Sequence, residues 1–448
     1  EIGDGSFTVR LMSLLSPSGA ITRALPPEAR DLTARRASID NADFIRRVTA
    51  LVSDSWRIAG GSGRTGGAGI VPLLVIGVIV AVFVVGVLLY LSRQQAPAAA
   101  PAQTAGGGSG WYQLYFTTPH YPDNVADHKG GLDEKLTAFI DSATKSVDMA
   151  IYQLDLDNVT RAMLDAKGRG ATVRVVTDID ILNDPKENPS FKKLQAAGIT
   201  VVGGNPNAIM HDKFVVVDEK AVWMGSWNFT TNDTYRYNNN GILIQSPELA
   251  RNYTATFEKM WRDRKFGAAR KSGGTTPSLT ISGVAVESYF APENGVAEKI
   301  VNRLKGAAKT IDFMAFSFTD DEIGATVRGR AKAGVKVRGV FEKTGSETQF
   351  SEFPKMKAAG LDVLQDGNPY LMHHKVFVVD GKTTVLGSFN FSQNAETAND
   401  ENLIIVDDQG IAGLFTQEFE RVQAQAKSPP NAKDGATGSE KESQNKDK

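Results

Sequence analysis

The sequence predicts an α/β fold in which two duplicated lobes form a pseudo-dimer, preceded by one transmembrane helix. Three observations predict it. Residues 70–91, IVPLLVIGVIVAVFVVGVLLYL, run for 22 positions without a charge, long enough at ~1.5 Å per helical residue to cross a hydrocarbon core of about 30 Å. Further along, FKKLQAAGITVV from Phe191 is echoed by FPKMKAAGLDVL from Phe353, and GATVRVV from Gly170 by GVKVRGV from Gly334, at offsets of 162 and 164 residues. Such repetition marks two copies of one unit. Within each copy, apolar strand-like runs alternate with helical stretches, the pattern of a sheet with helices on its faces.

Taken in order, residues 1–69 hold nine arginines and no lysine among scattered Pro, Gly and Ser. This arm is expected to be mostly disordered, with a short helix near Ala42 to Ser55. Its opening on Glu1 in place of methionine is expected of a fragment. Arg46, Arg47, Arg57 and Arg64 precede the apolar run and only Arg93 follows it closely. That bias places the N-terminus in the cytoplasm and the large C-terminal part outside it. Residues 92–110, SRQQAPAAAPAQTAGGGSG, read as a flexible linker with a reach of roughly 25 Å, which would hold the following domain close to the bilayer. The folded part is expected over residues 111–426, divided into lobes at 111–272 and 273–426, with a polar tail at 427–448. In each lobe a helix (Leu132 to Ser142; Val296 to Ala308) leads to a strand, VDMAIYQL from Val147 or IDFMAFSF from Ile311.

Composition narrows the chemistry. The 448 residues contain no cysteine, which excludes disulfides, thiolate metal sites and cysteine nucleophiles. Fifty basic residues stand against 51 acidic ones, so no global field advertises a polyanionic partner and phosphate chemistry would have to be local. Three of the five histidines fall in one motif that occurs twice: His211-Asp-Lys213-Phe-Val-Val-Val-Asp218 and His373-His-Lys375-Val-Phe-Val-Val-Asp380. Seventeen residues after each leading histidine stands an asparagine in a Gly-Ser-aromatic-Asn-Phe run, containing Ser226 and Asn228 or Ser388 and Asn390. On a strand, residues i and i+2 share a face, so each histidine projects beside its lysine. Imidazole, ammonium and amide together suit a phosphate group, with nucleophile or acid from histidine, charge neutralisation from lysine and a directed hydrogen bond from asparagine. Adjacent strand residues face opposite ways, and lysine occupies the place of a ligand, so His373-His374 is not expected to hold a metal. By the same parity Asp218 and Asp380 face away from the lysines and are expected to make structural hydrogen bonds. Ser226 and Ser388 either assist the phosphate site or shape the turn.

The paired motifs, each followed by Gly-Ser-x-Asn, resemble the phospholipase D superfamily across residues 111–426. The resemblance implies two α/β phospholipase D-like lobes whose motifs meet at one site, a covalent phosphohistidine and no metal or other cofactor. The segments around the motifs are most similar to compact bacterial endonucleases and mitochondrial cardiolipin hydrolases; the double span and Arg-Ser-Phe stretch usual in cardiolipin synthases are missing. Twenty-eight residues past each histidine the copies differ, with Glu401 in the second and Asn239 in the first. Many relatives carry an acidic residue there, partnering the motif histidine. The resemblance therefore implies that Glu401 supports the imidazolium of His373 as general acid, and that Asn239 leaves His211 neutral as nucleophile.

The substrate stays open between two classes. Residues 111–426 carry 35 basic and 40 acidic residues, which lacks the surplus of a duplex-binding surface. With the membrane tether, this favours a phospholipid head group as lead. A basic cluster of Arg262, Arg264, Lys265, Arg270 and Lys271 keeps an endonuclease acting on DNA or RNA as the alternative. A catalytically dead, membrane-tethered binding protein is the remote third reading. A monomer is expected, because both motifs lie in one chain.

Overall fold

The computed structural model describes residues 110–430. The arm at 1–69, the helix expected near Ala42 to Ser55, the apolar run at 70–91 and most of the linker and tail lie outside the described residues. Among the described residues no helix is long and apolar enough to cross a membrane.

The first lobe runs β1 (Tyr112–Phe116), α1 (Leu132–Asp141), β2 (Ser146–Ile151), α2 (Asp157–Gly168), β3 (Thr172–Asp178), α3 (Ile179–Asn183), α4 (Pro189–Ala196), β4 (Thr200–Gly204), β5 (Lys213–Val217), β6 (Ala221–Gly225), α5 (Thr231–Tyr235), β7 (Tyr237–Asn238), β8 (Asn240–Gln245) and α6 (Pro247–Trp261). The second repeats it as β9 (Ser278–Ile281), β10 (Val284–Ala291), α7 (Val296–Lys305), β11 (Thr310–Ala315), α8 (Asp321–Lys332), β12 (Lys336–Phe341), α9 (Lys343–Ser346), α10 (Glu352–Ala358), β13 (Asp362–Gln365), β14 (Leu371–Met372), β15 (Lys375–Val379), β16 (Thr383–Gly387), α11 (Gln393–Thr397), β17 (Glu401–Asp407) and α12 (Gln409–Lys427). Both lobes belong to one compact unit.

Sheet order makes the duplication explicit. The first sheet reads β4-β3-β2-β5-β6-β8-β1 and the second β13-β12-β11-β15-β16-β17-β10, with β9 added at its edge. In each, the first three strands are parallel, joined by crossover helices, and the rest are antiparallel. Strands covered on both faces should read as unbroken apolar runs, and KFVVV in β5 and KVFVV in β15 do. Val215 and Val217 pack into the first lobe's outer core, whereas Phe214 and Val216 enter a central core that also takes Val376 and Val378 from the second lobe.

Two long helices fill the layer between the sheets. Ser246 caps α6 by accepting from Leu249 N, with Pro247 in the first turn, and Asp408 caps α12 by accepting from Ile411 N. Leu249, Ala250, Tyr253, Phe257 and Met260 on α6, and Ile411, Ala412, Phe415, Phe419 and Val422 on α12, recur at helical spacing and are buried in the central core.

The glycine that opens each Gly-Ser run has a steric cause. A Cβ on Gly225 would stand 2.3 Å from Asn240 O, and one on Gly387 2.2 Å from Asn402 O. These contacts lie where β6 meets β8 and β16 meets β17. Gly387→Ala is expected to lower stability by about 1–3 kcal/mol as the strands are forced apart. Gly413→Ala, where nothing lies within 4 Å, should raise it by about 0.5–1 kcal/mol through helix propensity. Urea unfolding of the two variants checks the opposite signs.

Candidate active site

Each histidine sits just before the strand that carries its lysine, and each is anchored to the opposite lobe. His211 N donates to Asp400 O at 2.9 Å and His373 N donates to Asn238 O at 2.9 Å. Around them, β14 pairs in parallel with β7, Leu371 against Tyr237 and Met372 against Asn238, while Met210 bridges Asp400 in the same sense. Glu401 and Asn239 come one residue after Asp400 and Asn238, so each reaches the other lobe's histidine.

The partners are therefore exchanged relative to the sequence expectation. His211 Nδ1 lies 2.9 Å from both carboxylate oxygens of Glu401, and His373 Nδ1 lies 3.0 Å from Asn239 Oδ1. Glu401 does not pair with His373. The expectation took the residue 28 positions on as a partner within its own lobe, whereas the backbone pairing across the lobe boundary carries it to the other one. The serines hold these partners in place. Ser226 Oγ donates to Asn239 Oδ1 at 2.8 Å and accepts from Asn240 N; Ser388 Oγ donates to Glu401 Oε2 at 2.6 Å and accepts from Asn402 N.

Lys213 and Lys375 are fully buried. Each ammonium donates to the carbonyl of its own motif histidine at 2.9 Å. Their charges also meet aromatic faces, Lys213 over Tyr152 at 5.5 Å and Lys375 over Phe316 at 4.5 Å. The same rings pack edge-on against His211 and His373. Asn228 and Asn390 are buried as well.

Electrostatics separates the two halves. Burial lowers His373 to about 3, with Lys375 and Lys213 adding repulsion and Asp233 pulling the other way. Glu401 is pushed up to about 8 by burial, against the opposing charges of Lys213 and Lys375 and the Ser388 hydroxyl. The site thus tends to hold His373 neutral and to keep a proton on the Glu401–His211 pair.

The motif aspartates lie elsewhere. Asp218 and Asp380 occupy left-handed turns, φ 54° and 53°. Asp218 accepts from the backbone N–H groups of Thr144, Lys145 and Ser146, and Asp380 from those of Ala308, Lys309 and Thr310. Although burial opposes it, these donors and the Thr144 hydroxyl lower Asp218 to about 2.

His374 faces away from His373, as adjacent strand residues do. Asn240 Nδ2 donates to its Nδ1 at 2.8 Å, and its Nε2 meets Glu418 at 3.0 Å. Arg270 is not part of a basic surface: it is buried, 3.2 Å from Asp400 and 3.7 Å from Asp212. Of the remaining cluster, Arg262 pairs with Asp263 and Arg264 lies over Trp261.

Three residues at the site were not singled out from the sequence. Tyr152 and Phe316 sit just past β2 and β11, hidden in apolar runs. Asp233 is buried 3.4 Å from His373 Nδ1. Its sequence signal, Thr230-Thr-Asn-Asp233, is that of a helix capping box, and Asp233 N does donate to Thr230 Oγ1.

Comparison with known proteins agrees with the duplication. Residues 136–261 and 300–423 match the family model described as "Cardiolipin synthase, PLD-like domain", one match in each lobe. The mitochondrial cardiolipin hydrolase of Chlamydomonas reinhardtii is 34% identical over 183 residues, 36% of this chain and 82% of that protein. Phospholipase D of Rickettsia prowazekii (strain Madrid E) is 31% identical over 179 residues, 40% of this chain and 84% of that protein. The crystal structure of phosphatidylserine synthase from Haemophilus influenzae Rd KW20 covers 73% of this chain and 88% of its own, with a TM-score of 0.52 at 13% identity, a likeness of fold alone. With one copy of the matched domain in each lobe, and relatives named as phospholipase D and cardiolipin hydrolase, the chain belongs to the phospholipase D superfamily and is a phosphoric diester hydrolase.

Proposed function

We propose that the protein is a membrane-anchored, metal-independent phosphodiesterase that hydrolyses a phospholipid head-group diester through a phosphohistidine on His211. The observation that carries this reading is the meeting of two histidines and two buried lysines from separate lobes at one seam. Lys213 and Lys375 neutralise the non-bridging oxygens, with Asn228 and Asn390 as hydrogen-bonding groups, in the role a metal ion fills in other phosphodiesterases.

The nucleophile assignment rests on the exchanged partners. When His211 Nε2 attacks phosphorus, an N–P bond forms, the P–O bond to the leaving group breaks and the imidazole gains positive charge. Glu401 at Nδ1 stabilises that charge and, with its raised affinity for a proton, can accept the Nδ1 proton. The anionic diester meanwhile offsets the two ammonium charges that add to burial in opposing protonation of His373. His373 takes up a proton, delivers it from Nε2 to the leaving oxygen, and then removes one from water. Hydroxide displaces His211, the N–P bond breaks, and a phosphomonoester and an alcohol are the products.

Three features support a lipid substrate: the net acidity of residues 111–426, the burial of Arg270 away from any surface, and the charge-free run at 70–91 as anchor. The test is a parallel assay of the full chain in detergent on phosphatidylcholine, cardiolipin, single-stranded DNA and RNA. Release of a lipid head group is expected; cleavage of nucleic acid with the lipids left intact would reassign the enzyme as an endonuclease.

Hydrolysis should persist in excess EDTA. Abolition by the chelator with rescue by zinc or magnesium would overturn the lysine mechanism.

His211→Ala is expected to abolish an acid-labile phospho-enzyme. His373→Ala should slow turnover by about 10²–10⁴-fold, most for poor leaving groups. Adduct retained in the first variant and lost from the second would exchange the two roles.

Protease added to cells stripped of any outer barrier should release an active fragment by cutting within residues 92–110. Cleavage only after lysis would place the catalytic lobes in the cytoplasm.

A further inference from the structure

Aligning the lobes at their 162-residue offset sets His211 against His373, Asn239 against Glu401 and Asp233 against Ala395. The second lobe thus supplies its carboxylate at 401, with alanine at 395. The first has an amide at 239 and places its carboxylate at 233. Each lobe gives one carboxylate to the histidine of the other, from two different positions.

The path from Asp233 to His373 is short. Asn239 Nδ2 donates to Asp233 Oδ1 at 3.0 Å and to Asp233 O at 3.2 Å, which turns Asn239 Oδ1 towards His373 Nδ1 at 3.0 Å. Ser226 Oγ donates to that same Oδ1. With its amide oriented by three hydrogen bonds, Asn239 accepts from Nδ1–H, which fixes the tautomer with Nε2 available for chemistry. Asp233 also lies 3.4 Å from Nδ1 directly. Its other donors are Asn228 N, the Asn228 side-chain Nδ2 at 3.5 Å and the Thr230 hydroxyl.

Capping α5 does not account for this arrangement. A cap needs one oxygen at a helix end, whereas Asp233 is 2% exposed, and a buried carboxylate is costly without a charged partner. The titratable group found against it among the described residues is His373, which carries charge only while it holds a second proton. Of the other charges around the ring, Lys375 and Lys213 oppose protonation of His373, and Asp155 faces Asp233.

We infer that Asp233 is the positioning residue of His373, doing through Asn239 what Glu401 does directly for His211. This rests on the reading of His373 as the proton carrier. Asp233 fixes the tautomer and offsets the lysine charges when His373 takes up its proton. The lobes thus reach the same end with a one-step and a two-step arrangement.

The decisive experiment transplants the pattern of the second lobe into the first. On the full chain, Asp233→Asn should lower kcat for a diester with an alkoxide leaving group by at least about tenfold, with KM little changed. The loss should be smaller on bis(p-nitrophenyl) phosphate, whose leaving group needs no proton. The pair Asp233→Ala with Asn239→Glu recreates Ala395 and Glu401, with Ser226 placed to donate as Ser388 does, and should recover most of kcat. Asn239→Glu alone, with two carboxylates abutting, should not match the wild type. Wild-type kcat in Asp233→Asn would overturn the inference. So would a double variant that keeps the wild-type thermal midpoint but stays as slow as Asp233→Asn. Should the double variant fail to fold, the leaving-group ratio of Asp233→Asn decides. Absence of a covalent adduct in the wild type would sink the phosphohistidine on His211 and leave the rescue pattern to be judged on its own.

Discussion

Two backbone hydrogen bonds across the lobe boundary, His211 N to Asp400 O and His373 N to Asn238 O, set the terms for the whole site. Each pins a histidine to the strand segment of the other lobe, so the next residue along becomes its partner. Side-chain chemistry at one histidine is thereby read out from 190 residues away. Ser226 and Ser388 set the partner's rotamer, and Gly225 and Gly387 let the strand below come close enough for those serines to reach. The Gly-Ser run is in this sense the support of the partner residue as well as the approach to Asn228 and Asn390.

Concentrating two ammonium groups where water is excluded is expensive unless something offsets them. Histidine carbonyls and aromatic faces provide dipoles and quadrupoles at Lys213 and Lys375, and both charges also act on the Glu401 carboxyl. The electrostatic consequence falls on the neighbours: burial lowers the proton affinity of His373, and the lysine charges lower it further. A phosphodiester brings a further negative charge to these ammonium groups. The preference for it is built into the protein's own groups, since the same field that disfavours a cationic histidine favours a bound anion. Substrate binding and histidine protonation are coupled through that field.

Much of this was legible in the sequence. The 162-residue offset announces the pseudo-dimer, and strand parity alone places His211 with Lys213, and His373 with Lys375, on one face. Parity also sends His374 away to Glu418. What sequence could not supply was which lobe each partner serves, because exchange across the boundary is a tertiary fact with no local signature. Asp233 was hidden for a different reason: a Thr-x-x-Asp before a short helix already has a sufficient local explanation as a cap. Arg270 was misjudged because a run of basic residues in a connecting segment reads as surface, whereas two aspartates from separate lobes close around it. The pattern of error is consistent, as each miss involves a contact between residues far apart in the chain.

Duplication explains why the two halves of the site need not remain alike. In a symmetric site both histidines would sit in one environment, yet an in-line displacement asks one for a lone pair and the other for a proton. The lobes have kept histidine, lysine, serine and asparagine at matching positions. They have diverged one layer behind. Asn402 donates to Asp212, which lies beside Arg270, while its counterpart Asn240 donates to His374, backed by Glu418 and Arg421. The same scaffold amide therefore meets a carboxylate on one side and an imidazole on the other. Divergence at this depth changes the charges that surround each histidine while the matching residues of the two motifs keep their places, so a single fold can set two histidines in different surroundings.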